Sequence, residues 1–131
     1  MVKFSKSERL CSRKTIEKLF TLGNSLYLYP FRLVWQEAES EIPGRIRFAV
    51  SVPRKRIKRA VDRNRLKRLI RESYRLNRDI IYEGLVLQNR KIDMMVLYVS
   101  PEVLDFEMIN ARFRELLHQF ILNNATDKEN I

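Results

Sequence analysis

The sequence predicts an α+β domain, a small sheet covered by helices, and three observations point there. Three segments carry apolar residues at helical spacing, and the runs between them are rich in aromatic and β-branched residues and bounded by turn signals. Only three glycines and four prolines occur in 131 residues, too few for a many-turned all-β chain. Hydrophobic residues make up 45% and charged residues 32%, a balance that buries a core rather than leaving the chain disordered.

Taken in order, residues 12–22 predict a helix with Ser12 as its cap and Ile16, Leu19 and Phe20 on one face. Gly23 ends it, and Leu10 is placed to staple onto Ile16. Residues 27–36 read as a strand. Pro30 either opens that strand or divides it, in which case 26–29 form a strand of their own. Residues 37–44 are polar and turn-like, 45–52 alternate as a further strand, and the runs 27–36 and 45–52 are placed to pair as a hairpin.

Pro53 stops that strand, and a helix over 59–76 follows. At 100° per residue, Leu66, Leu69, Ile70 and Ser73 gather in one stripe, with Arg63 and Arg65 flanking it on either side. Asn64, Arg68, Arg71 and Arg75 fall near the opposite pole, with Lys67 at its edge. Residues 80–91 show no clean period. Residues 93–99 run continuously apolar, as in a strand buried on both faces. Ser100 and Pro101 break that run. Asp105 then caps a last helix whose core stripe is Phe106, Ile109, Phe113, Leu116, Leu117, Phe120 and Ile121. From Asn123 onward the chain is polar and expected to fray. No repeat or linker divides the chain, so one domain over 1–131 is expected, with its ordered core at about 8–122.

Charge placement narrows the function. The net charge is +10, and the window 54–75 alone holds eleven basic and two acidic residues, a net +9. Cations concentrated on one helix with an apolar back mark a surface that meets a polyanion. One cysteine, Cys11, excludes an internal disulfide and a cysteine zinc site. The absence of a secretory leader and of a long apolar run predicts a cytoplasmic protein away from membranes. The acids Glu37, Glu39 and Glu41 read as a solubilising turn, and His118 lies off the last helix's apolar stripe. Neither these nor Cys11 comes with the partners that catalysis or metal binding needs, so no catalytic residue and no protein-held metal are expected.

The triplet Arg63-Asn64-Arg65, inside KRAVDRNRLKRLIRE (58–72), closely resembles the RNR signature of the ribonuclease P protein family. The resemblance extends over about 8–122 and takes in IEKLFTLG at 16–23, RFAVSVPRK at 47–55, DMMVLYVSP at 93–101 and the closing helix. It implies an αβββαβα fold like the second domain of ribosomal protein S5, with an uncommon left-handed βαβ crossover. It implies a subunit of a ribonucleoprotein endoribonuclease that removes the 5′ leader of precursor tRNA. In such an enzyme the RNA subunit hydrolyses the phosphodiester with Mg2+ ions that it mainly holds itself, while the protein, expected to be a monomer, binds that RNA and the leader. Carried onto this sequence, the RNA-contacting helix supplies Arg63, Asn64, Arg65, Lys67, Arg68 and Arg71. The basic approach to it supplies Arg54, Lys55, Lys58 and Arg59. A leader-binding cleft falls on Ile16, Phe20, Phe31 and Val34, with Ile16 and Val34 standing where the family often has aromatic residues. Residues 83–91 look like an insertion relative to short members.

Composition alone also fits a ribosomal or assembly protein. A major-groove DNA reader fits less well, because strands rather than a short helix precede the basic helix. A membrane-surface helix is weaker still, since residues 59–76 contain no Trp or Phe.

Overall fold

The computed structural model describes residues 13–38, 45–87 and 90–129. Helix α1 (Arg13–Leu22) is followed by strands β1 (Asn24–Leu28), β2 (Phe31–Glu37) and β3 (Ile46–Ser51). Helices α2 (Ala60–Asn77) and α3 (Asp79–Leu87), strand β4 (Ile92–Tyr98) and helix α4 (Phe106–Glu129) complete the order. The expected cap Ser12, its staple Leu10, Cys11, Glu39 and Glu41 lie outside the described residues.

The strands form one sheet in the order β1-β2-β4-β3, with β1 and β2 antiparallel, β2 and β4 antiparallel, and β3 and β4 parallel. Pro30 therefore divides the first apolar run, and β1 and β2 meet across the Tyr29–Pro30 turn, which holds a cis peptide. The expected hairpin between 27–36 and 45–52 does not form, because β4 lies between them. Burial explains this outcome. Ile92, Met94, Met95, Val96 and Tyr98 are buried on both faces of β4, so the most apolar strand takes an interior position. A parallel β3–β4 pair then requires a long crossover, which α2 and α3 supply.

Alternation assigns the two faces of the sheet. Phe31, Leu33 and Trp35 of β2, Ile46 and Phe48 of β3 and the even-numbered residues of β4 join the main core beneath α2, α3 and α4. From α4 that core receives Ile109, Phe113, Leu116, Leu117 and Phe120, while Ile121 packs at its margin, close to the expected stripe. On the other face, Leu19 of α1 packs on Val34 and Met95, with Ile16, Ala49 and Leu97 around them. Gly23 joins α1 to β1 where the backbones crowd: a Cβ there would sit 2.5 Å from the Leu19 carbonyl oxygen and 3.0 Å from that of Trp35.

Three elements differ from expectation. Residues 79–87 form α3, whose Ile81 and Leu85, one turn apart, enter the core; Gly84 in its middle obscures the period. α4 begins as expected, with the Met108 amide donating to Asp105 Oδ1 at 3.0 Å, yet continues to Glu129 instead of fraying at Asn123. On α2 the buried side chains are Leu66, Ile70, Ser73, Tyr74 and Asn77, so the stripe is rotated toward Tyr74, and Leu69 is left half-buried at its edge. Tyr74 stacks on Phe48 with ring centroids 4.0 Å apart, which draws that side of the helix inward.

Two networks hold the helices in place. At the α2–α4 contact, Asn77 Nδ2 donates to the Ser73 carbonyl (2.7 Å) and to Asn110 Oδ1 (2.8 Å), while Ser73 Oγ donates to the same Oδ1 (2.8 Å). Buried polar groups satisfied this way select one alignment of the two helices. In the loop after β4, Tyr98 OH donates to the Glu102 carbonyl and accepts from the Leu104 amide, and Tyr29 OH and Ser100 Oγ lie 2.8 Å apart.

Burial pushes the Tyr98 phenol above its ordinary value near 10. A raised pKa favours the neutral form in the folded chain, so the stabilisation is complete below pH 10 and is lost as pH rises through the folded value. Urea unfolding at pH 8 and pH 11 is expected to show a fall in stability that Tyr98→Phe reduces. An equal fall in the variant would remove Tyr98 as the cause.

Candidate nucleic-acid interface

The chain leaves β3 through buried Val52 and turns at Pro53, whose carbonyl accepts from the amides of Arg56 (3.0 Å) and Ile57 (3.1 Å). Ile57 is buried in the main core. With apolar anchors on both sides, the intervening turn displays Arg54, Lys55 and Arg56 outward. Lys58 and Arg59 follow, also exposed, and lead directly into α2.

The start of α2 works against ordinary helix energetics. Arg59 stands at the N-cap with no side-chain hydrogen bond to the first turn, although Ser, Thr, Asp or Asn is favoured there. Cations crowd the positive end of the helix dipole, and Asp62, 3.9 Å from Arg59, is the acid of that first turn. An incoming anion relieves both defects, because it accepts from free backbone amides and neutralises the cluster.

Farther along, Asn64, Arg65, Arg68 and Arg71 are exposed and lie away from the buried stripe, with Lys67 half-buried at its margin. Arg75 shares that side but is held by Glu72, its Nε donating to Oε2 at 3.0 Å. The hydrogen-bonded guanidinium keeps the Glu72 carboxyl below the usual range, so this pair adds little net charge.

Arg63 behaves differently from its neighbours in the triplet. Its Nη1 donates to the carbonyls of Ile57 (3.0 Å) and Lys58 (2.6 Å), clamping the basic turn onto the helix. We expect Arg63→Lys, which keeps the charge but loses the planar fork, to speed amide hydrogen exchange at residues 54–58. Its effect on RNA affinity is expected to exceed that of Arg65→Lys. Unchanged exchange would show that the clamp does not order the turn.

The expected cleft residues separate in the structure. Phe20 of α1 is 48% exposed, and Ile16 is half-buried over the small cluster. Val34, 2% exposed, forms the floor beneath Leu19 and offers no surface of its own. Phe31 corrects the sequence reading. It points to the opposite face, is fully buried, and meets Phe113 and Tyr98 edge-on with centroids 5.8 and 6.2 Å apart. No ring face is left there for a base.

Sequence reading also missed Tyr27 and Arg32, both exposed on the α1 side of the sheet. Parity with Val34 places Arg32 on this face, whereas Tyr27 reaches it only through the register that sets it opposite Arg32. His118 is exposed, as expected.

An α+β scaffold that stiffens a cationic helix from behind and continues its charge into an exposed basic turn defines a small protein suited to nucleic-acid phosphates. A family model described as ribonuclease P matches residues 4–121. The ribonuclease P protein component of Porphyromonas gingivalis is 39% identical over 115 residues, covering 86% of this chain and 82% of that protein. That of Chlorobaculum tepidum is 30% identical over 122 residues, covering 85% and 78%. The solved ribonuclease P protein of Thermotoga maritima superposes with a TM-score of 0.69 at 26% identity, covering 86% of this chain and 96% of that one. The Staphylococcus aureus protein shares the fold, with a TM-score of 0.67 at 21% identity and coverage of 92% and 96%. The chain belongs to the ribonuclease P protein family, whose members are components of a ribonucleoprotein endoribonuclease.

Proposed function

We propose that the chain binds the RNA subunit of ribonuclease P through its basic turn and helix, and holds the 5′ leader of precursor tRNA while that RNA cuts it. The observation that carries this reading is the display of Arg54, Lys55, Lys58, Arg59, Asn64, Arg65, Lys67, Arg68 and Arg71 along one continuous segment whose back is fixed in the core. Arginine suits the task because its fork pairs bidentately with phosphate. Arg63 serves the same surface by clamping the turn. Phe20 and Ile16 line the open face on the α1 side, where an aromatic ring can stack on a single-stranded base.

The protein contributes affinity and position, and catalysis stays with the RNA. Among the described residues no three His, Cys, Asp or Glu side chains come together as metal ligands. Magnesium is read as held mainly by the RNA subunit, and what this chain's own residues contribute is binding and position. Among the described residues no helix is long and apolar enough to cross a membrane. The reading is of a cytoplasmic protein that joins its RNA partner as a monomer.

Reconstitution tests this function. With a bacterial ribonuclease P RNA and a precursor tRNA labelled in its leader, the protein is expected to restore cleavage at modest magnesium, while the protein alone cuts nothing. Binding to the RNA subunit should weaken with salt, by about 0.7–0.9 in log K per log unit of salt for each phosphate contact. Correct cleavage by protein alone, or no stimulation of the RNA, would overturn the proposal.

A further inference from the structure

We infer that Tyr27 and Arg32 form a nucleotide-binding platform at the β1 edge of the sheet, extending the leader path beyond the side chains beneath α1. The inference rests on the proposed leader-holding role and adds to it the residues that hold a distal nucleotide.

Register places the two side chains together. Tyr27 and Arg32 are directly opposite in the antiparallel β1–β2 pair, so they share a face with Cβ atoms about 5 Å apart. Arg32 is two residues from Val34, which puts both on the α1 side of the sheet. α1 packs over β2 and β4, and its small apolar cluster includes no residue of β1. Tyr27 is consequently 63% exposed, more than any other aromatic side chain among the described residues. Among those residues neither Tyr27 nor Arg32 has a side-chain hydrogen-bond or ion-pair partner.

A large ring left in water beside an exposed guanidinium makes no contribution to this core, yet it matches a nucleotide closely. The ring face stacks on a base, and the fork pairs with the adjoining phosphate. Arg32 is opposite Leu97, and Leu97 is opposite Ser51. The row Tyr27–Arg32–Leu97–Ser51 therefore crosses the whole sheet, about 14 Å at ordinary strand spacing. It ends where β3 gives way to the basic turn at 54–56. A single-stranded RNA on this row has cations at both ends and an apolar step between them. That charge pattern favours RNA over an apolar protein segment as the occupant.

The test uses holoenzyme reconstituted from the full chain and a bacterial ribonuclease P RNA, with two precursor tRNAs that differ only in leader length. One carries a single leader nucleotide and the other a long unstructured leader. Wild type is expected to bind the long leader more tightly. Tyr27→Ala should weaken binding of that substrate by about tenfold and leave the short one unaffected, while Tyr27→Phe, which keeps the ring, retains wild-type affinity. Arg32→Gln should weaken the long-leader complex and flatten its salt dependence. If wild type prefers the long leader and Tyr27→Ala does so equally, the platform is overturned while leader holding stands. Equal weakening of both substrates would also overturn it, by showing a structural role. A wild-type protein indifferent to leader length would overturn the platform and the leader-holding role together.

Discussion

Replacing Arg65 and Arg68 together with alanine is expected to weaken binding to the RNA subunit by on the order of 100-fold and leave the unfolding midpoint unchanged. Both side chains are exposed on α2, away from the stripe formed by Leu66, Ile70, Ser73, Tyr74 and Asn77. Truncating them removes charge without opening a cavity. A hydrogen bond to a charged group contributes about 1.5–3 kcal/mol, and two losses at the lower end of that range, as suits solvent-exposed contacts, bring affinity down by about that factor. The salt slope provides a second, independent reading. Two fewer phosphate contacts should flatten the log–log dependence by about 1.5, whereas damage to the fold would lower affinity at every salt concentration without that change. Arg75→Ala is the internal control, because Glu72 already engages that guanidinium. An Arg75 variant as impaired as the double variant would mean that total charge, not its placement, governs binding.

What the sequence made legible follows from what each signal depends on. α2 was readable because period and charge agree: the apolar residues recur at helical spacing and the cations fill the rest. β4 was readable as buried on both faces from its unbroken apolar run. Strand partners were not, because alternation tells which face a residue occupies and says nothing of which strand lies beside it. The hairpin expected between 27–36 and 45–52 failed for that reason, as β4 arrives from far along the chain to separate them. The cleft is a different case, because alternation along β2 by itself already separates two of its expected members. Phe31 and Val34 are three residues apart on β2 and so face opposite ways, one into the main core and one beneath α1. Conversely, Tyr27 and Arg32 are five residues apart across Pro30 and become neighbours only through the β1–β2 register. Residues that a fold gathers from separate strands leave no local pattern to read.

Core residues of the same helix are expected to respond in the opposite sense. Ile70→Ala should destabilise the chain by about 3–4 kcal/mol, because Ile70 is fully buried in the main core and its loss leaves a cavity that packed neighbours fill only in part. For a chain of this length that lowers the thermal midpoint by roughly 10–15 °C. Leu69→Ala should cost distinctly less, since Leu69 is half-buried at the stripe's margin. The contrast tests the rotation of the buried face toward Tyr74, which sequence periodicity alone did not give. Comparable losses at the two positions would return the face to the simpler stripe centred between Leu66 and Leu69. RNA binding adds a further arm. A partner that binds only the folded chain stabilises it by mass action, about 2.7 kcal/mol at one hundred times its Kd. Ribonuclease P RNA should therefore raise the midpoint of Ile70→Ala much as it raises that of wild type, while the Arg65→Ala/Arg68→Ala protein, stable by itself, should gain far less. That crossed pattern requires one face of α2 to hold the fold and the other to hold the RNA.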